Sequence, residues 1–89
     1  MMPESIQVEI YSRPNCHLCD EAKAVIKSFS ERYPIEITMT DVDSDPRLQR
    51  DYGLDIPVIL LNGAEVCRHR VNPGDFEKKL GELWNKSMS

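Results

Sequence analysis

The sequence has no long apolar run, no excess of basic side chains and no dense set of cysteines. Each absence removes a class of function. Without a stretch of about 20 apolar residues, no segment is suited to crossing a bilayer as a helix. Met1–Ser5 shows neither a basic opening nor an apolar stretch, so no secretory leader is expected and the expected compartment is the cytoplasm. Eleven Lys and Arg stand against fifteen Asp and Glu, a net charge of -4. That balance disfavours nucleic acid and anionic membrane as partners, since both select for clustered cations. Arg68, His69 and Arg70 make a small basic spot, which reads as the solvated face of a strand. Three cysteines are too few, and odd in number, for a secreted disulfide framework. There is also no repeat, linker or low-complexity tract, so residues 1–89 are expected to form one small domain.

Within that frame, 40% hydrophobic and 29% charged residues describe an ordinary globular chain. Ile6, Val8 and Ile10 alternate with Gln7, Glu9 and Tyr11, the period of a strand. Ser12–Asn15 interrupts it as a polar loop. From His17 the period changes: Ala22, Val25, Ile26, Phe29 and Tyr33 share one helical face, and Pro34 is expected to end that helix. Ile35, Ile37 and Met39 return to alternation as a second strand. Asp43, Ser44 or Asp45 can cap a short helix with Pro46 in its first turn. Leu48 and Tyr52 face inward on it, and Gly53 suits a left-handed position at its end. Val58–Leu61 is a continuous apolar run, as expected of a strand covered on both faces. Asn62-Gly63 signals a hairpin, with Glu65–Val71 as the returning strand. Asn72-Pro73-Gly74-Asp75 supplies a cap, a first-turn proline and an acid for a last helix that buries Phe76, Leu80, Leu83 and Trp84. Asn85–Ser89 is expected to fray. The order is β-α-β-α-β-β-α. Its opening implies a right-handed crossover and a parallel strand pair, and the hairpin adds an antiparallel one, so an α/β fold with a mixed sheet is expected.

The chemistry sits where the first strand gives way to the first helix. Cys16-His17-Leu18-Cys19 places two thiols three positions apart at a helix start. Unpaired N–H groups and the positive end of the helix dipole stabilise a thiolate there, lowering its pKa from about 8.5 toward roughly 3.5–7.5. Asp20 and Glu21 oppose the extreme of that range by adding negative charge. In a reducing compartment such a close pair points to catalysis or metal binding rather than to a structural bridge.

Tyr11–Cys19, between strand and helix, resembles the active-site segment of glutaredoxins, within the thioredoxin superfamily. Asp55-Ile56-Pro57, ahead of the buried third strand, matches the place of that superfamily's cis-proline. The resemblance implies a thioredoxin/glutaredoxin fold, a four-stranded mixed sheet flanked by three helices. It implies Cys16 as the attacking thiolate and Cys19 as the thiol that resolves the mixed disulfide. Arg13 stands where the family often carries a cation, which would lower the Cys16 pKa or hold a substrate carboxylate. His17 stands where many members have proline, and when protonated would stabilise the thiolate. In the family, Ile56 offers its backbone to glutathione, and the segment matching Gly74 and Asp75 holds the γ-glutamyl end. Two landmarks depart from the family: Asp55-Ile56-Pro57 replaces threonine-valine-proline, and Pro73-Gly74 replaces a glycine pair. Pro73 removes one N–H donor from that second wall.

The expected function is a small dithiol thiol–disulfide oxidoreductase. It would hold no bound cofactor and no metal, and would act as a monomer on a protein disulfide or a glutathione mixed disulfide. Glutathione as co-substrate, or a reductase, would supply its electrons. Two other classes stand beside it: a low-turnover binding or accessory module, and an iron–sulfur or metal carrier. One Cys-x-x-Cys without a second pair cannot complete a four-thiolate site within one chain. Cys67, in the returning strand, reads as a small packed hydrophobe. His69 reads as a surface residue, with no carboxylate or metal partner in the local sequence.

Overall fold

In the computed structural model of this chain the backbone is described for residues 5–88 and the side chains for residues 5–85. Met1–Glu4, most of the segment read above for a leader, and Ser89 lie outside the described residues. The alternating opening forms β1 (Ile6–Ser12), with Ile6, Val8, Ile10 and Ser12 buried on one face. There follow α1 (His17–Lys27), β2 (Ile35–Asp41), a 3₁₀ turn at Val42–Ser44, α2 (Pro46–Tyr52), β3 (Val58–Leu61), β4 (Ala64–Arg68) and α3 (Pro73–Met88). The strands lie in the order β2-β1-β3-β4. β1 and β2 are parallel, with Ile6 opposite Ile35, while β3 runs antiparallel to both neighbours. This is the expected mixed sheet with three helices. Among the described residues no helix is long and apolar enough to cross a membrane.

The core lies between the sheet and the pair α1 and α3. Val8, Ile10, Ile59 and Leu61 meet Ala22, Ile26 and Phe29 from the α1 side and Phe76 and Leu80 from α3. Phe29 and Phe76 stack at a tilt, 5.8 Å between ring centroids. Each such side chain, fully buried, contributes about 1.5–3 kcal/mol through the surface it removes from water. The opposite face carries Tyr11, which meets Tyr52 of α2 at 4.8 Å. β3 is buried along its whole length, because both faces of the sheet are covered there.

Caps and turns set the element starts. Asp45 accepts the Arg47 N–H at 2.8 Å ahead of Pro46, and Asn72 accepts the Asp75 N–H at 3.1 Å ahead of Pro73. Asn62 (φ 50°) and Gly63 (φ 87°) both adopt positive φ, as a tight hairpin requires. Asn62 Oδ1 also accepts the Gln7 N–H at 2.9 Å, which ties the hairpin to β1.

The ends differ from expectation. α1 stops at Lys27 instead of reaching Tyr33, because the Ser28 and Ser30 hydroxyls donate to the Val25 and Lys27 carbonyls and tighter turns follow. Phe29 and Tyr33 still face the core from those turns, which preserves the helical spacing. The 3₁₀ turn between β2 and α2, capped by Asp41, was not anticipated. Gly53 is right-handed (φ -56°), not left-handed. Its missing side chain matters otherwise: a Cβ there would collide with the Gln49 carbonyl and meet Arg13 Nη2 at 3.3 Å. β4 ends at Arg68 rather than Val71, since His69 turns the chain with φ 70°. A register shift lies within it, Ile59 pairing with Cys67 but Leu60 with Glu65, so Val66 is the extra residue of a bulge. At the other end of the chain, the expected fraying from Asn85 gives way to a helix that continues to Met88.

Candidate active site

The site is built at the end of the sheet where β1 stops. Asn15 takes φ 63°, a left-handed step that asparagine tolerates, and sets Cys16 at the entry of α1. Cys16 is the N-cap of α1: its backbone is extended (φ -93°, ψ 106°), and its sulfur accepts the Cys19 N–H at 3.2 Å. The sulfur thus fills the role that a serine or aspartate oxygen fills at most helix starts. Cys16 and Cys19 are joined in a disulfide with their Cα atoms 5.2 Å apart. Cys16 is half-buried, whereas Cys19 is 1% exposed. Cys19 is thus enclosed by the fold, while Cys16 is partly open to solvent.

The Ile56–Pro57 bond is cis. Tyr11 of β1 pairs with Val58 of β3, so Pro57 lies at the end of the sheet where the chain leaves β1 for the cysteine loop. Its carbonyl accepts the His69 N–H at 2.8 Å, which ties the proline turn to the segment after β4. Ile56 makes no main-chain hydrogen bond among the described residues.

The remaining candidate residues lie apart. The Arg13 guanidinium grips Asp43, Nε to Oδ2 at 2.8 Å and Nη2 to Oδ1 at 3.1 Å. This pairing holds the Asp43 carboxyl below its ordinary range and pushes Arg13 further up. Both donors of that fork are therefore engaged within the chain. The His17 side chain is 87% exposed, its Nε2 3.2 Å from Glu21 one turn along the helix. Gly74 and Asp75 start α3; Asp75 lines a cavity of about 420 Å³ together with Cys67, Arg70 and Asn72. A separate groove of about 260 Å³ runs between α1 and the segment after β4, lined by Leu18, Ala22, Val25, His69, Arg70 and Val71. Arg70 is common to both hollows.

Around the proline turn the folded chain gives two exposed side chains partners distant in sequence. Arg68 is not a freely solvated arginine: it forks onto Glu65, reaches Asp55 Oδ2 at 2.6 Å, and lies over the Tyr52 ring at 5.3 Å. His69 is at the surface as expected, its side chain 58% exposed, and folding brings a carboxylate to it, Asp55 Oδ1 at 3.4 Å. Asp55 is fourteen residues away in sequence, so no local signal announced it. Leu18 and Arg70 were equally unflagged as groove residues; Leu18 sat inside the motif, and the turn at His69 takes Arg70 out of the strand the sequence assigned it to.

A family model described as Glutaredoxin-like domain (DUF836) matches residues 7–81. The chain belongs to that family. A glutaredoxin-like protein of Dictyostelium discoideum, the YDR286C homolog, is 28% identical over 75 residues, covering 78% of this chain and 69% of that protein. Protein Ne2328 from Nitrosomonas europaea, solved by solution NMR, superposes with a TM-score of 0.78 at 23% identity, covering 90% of this chain and 96% of that one. Oxidised mitochondrial thioredoxin 3 from Saccharomyces cerevisiae gives a TM-score of 0.61 at 19% identity, covering 90% and 80%. At those identities the two structures establish the thioredoxin fold alone. This glutaredoxin-like chain therefore joins the thioredoxin fold to a Cys-x-x-Cys pair, which supports a thiol redox role in general.

Proposed function

We infer that the chain is a thiol–disulfide oxidoreductase with Cys16 as nucleophile and Cys19 as resolving thiol. One observation carries the reading: the Cys16 sulfur caps α1 and accepts the Cys19 N–H. In the reduced protein the same donor and the helix dipole favour a Cys16 thiolate, the species that attacks disulfides. The thiolate attacks one sulfur of a substrate disulfide, forming a mixed disulfide and expelling the other sulfur as a thiolate. Cys19, deprotonated as it reacts, attacks the Cys16 sulfur and releases the second substrate thiolate. The protein is left with the Cys16–Cys19 bond, and two electrons have passed to the substrate. Two molecules of a monothiol such as glutathione, or one dithiol reductase, return them. In this reading Ile56 and Pro57, at the sheet end where β1 leaves for the cysteine loop, have the role of meeting the substrate beside the pair.

Hydroxyethyl disulfide, a small uncharged substrate, tests this directly. The reduced wild-type chain should consume it, Cys16→Ser should not, and Cys19→Ser should accumulate a mixed disulfide visible by intact mass. Turnover that survives Cys16→Ser would overturn the assignment.

A further inference from the structure

We propose that Arg70 is a specificity-determining residue: the groove beside the redox pair takes an apolar side chain of a substrate protein next to its reacting cysteine, and Arg70 takes an acidic residue that accompanies it. This rests on the oxidoreductase reading and adds to it the class of substrate.

The first support is the state of the arginines. Arg13 holds Asp43, Arg32 holds Glu77, Arg47 lies by Asp45, Arg50 by Asp51, and Arg68 holds both Glu65 and Asp55. Among the described residues Arg70 has no carboxylate partner, although acids outnumber bases in this chain by fifteen to eleven. The acids on the groove side are engaged elsewhere: Asp55 with Arg68 and His69, and Glu21, which also borders the groove, with His17. Asp75 and Glu82 lie on the neighbouring cavity that Arg70 also borders, which they share with Lys78 and Lys79. The charge left facing outward on that rim is positive. A guanidinium fork matches a carboxylate in two parallel hydrogen bonds, which makes arginine a reader of acids rather than a mere point charge.

The second support is continuity with the reacting atoms. His69 donates its N–H to the Pro57 carbonyl, so Arg70 follows directly on the residue that fixes the proline turn. The opposite wall of the groove contains Leu18, the residue inside the cysteine pair, which is 37% exposed. The groove has an apolar floor of Leu18, Ala22, Val25 and Val71, and Leu18, two residues along from Cys16, is where a segment with its cysteine at Cys16 would enter it. At about 260 Å³ the groove is smaller than the roughly 300–1,000 Å³ of small-molecule pockets. That size suits one side chain of a chain lying across the surface.

The test is a single-turnover reduction by the prereduced full chain, with disulfide peptides of equal length flanked by Leu-Glu, Leu-Lys or Ser-Glu. The Leu-Glu peptide should react roughly three- to fivefold faster than Leu-Lys in low salt, the scale of one exposed charge pair. The preference should shrink near 1 M salt, where the screening length is about 3 Å. Arg70→Glu should reverse the Leu-Glu to Leu-Lys order, and Ser-Glu should lag behind Leu-Glu. Equal rates for the three peptides, with hydroxyethyl disulfide consumed normally by the wild type, would overturn this inference and leave the oxidoreductase reading intact. Failure on hydroxyethyl disulfide would instead remove that reading. A preference for glutathione disulfide over all three peptides, lost in Arg70→Glu, would assign Arg70 to glutathione and overturn the protein-substrate proposal.

Discussion

Cys16 and Cys67 are the same side chain in opposite surroundings. Cys16 sits at a helix start with a main-chain N–H on its sulfur. Cys67 lies in β4, paired across from Ile59 and packed against the core. Burial pushes the Cys67 thiol above its ordinary pKa; the charge of Lys79 offsets part of this and Glu65 adds to it. A raised pKa means less thiolate at neutral pH, and the thiolate is what alkylates. In the fully reduced protein at pH 7.5, iodoacetamide should therefore modify Cys16 at least roughly tenfold faster than Cys67. The Cys67 rate should still be climbing above pH 9. Timed alkylation followed by peptide mapping reads both rates, and equal labelling at pH 7.5 would contradict the environment assigned to Cys67.

At the scale of elements, starts are fixed by single polar atoms. Asn72 Oδ1 holds the Asp75 N–H, and the Asn72 carbonyl accepts Phe76 N–H at 2.9 Å, so one residue opens α3. Asn72→Ala should cost about 1 kcal/mol (range roughly 0.5–2), seen as a lower urea midpoint, while Asn72→Asp, which keeps the acceptor, should stay near wild type. Such caps were legible in the sequence because their signals are local: Asn72-Pro73, Asp45-Pro46, Asn62-Gly63 and the cysteine tetrad each lie within a few residues. The strand alternation and the buried run Val58–Leu61 were legible for the same reason. The ends were not. Phe29 and Tyr33 keep helical spacing from turns, and the left-handed step at His69 ends β4 between Arg68 and Arg70, which the alternation had assigned to one strand face. The partners of Arg13 and Arg68 lie thirty and thirteen residues away, and only the folded sheet brings them together.

For the molecule as a whole, those same long-range pairs set the response to acid. Arg13 with Asp43 ties the cysteine loop to the turn after β2, and Arg68 with Asp55 ties β4 to the proline turn while its fork holds Glu65. The hydrogen bond from Arg13 holds Asp43 below the ordinary carboxylate range, and that from Arg68 does the same for Glu65. A folded-state pKa below the unfolded value means that the unfolded chain binds more protons in that window. The contribution is fully present above the unfolded values, about 3.9 for Asp and 4.3 for Glu, and is lost as pH falls through the folded ones. Urea midpoints should accordingly hold steady from pH 7 to about 5 and drop below about 4. The double variant Asp43→Asn, Glu65→Gln should start lower at pH 7, because Arg13 loses its carboxylate and Arg68 loses one of its two, and should fall less steeply in acid. Parallel wild-type and variant curves down to pH 3 would mean that other carboxylates govern acid unfolding. Both pairs are exposed and screened, so the difference between the curves should also narrow in high salt.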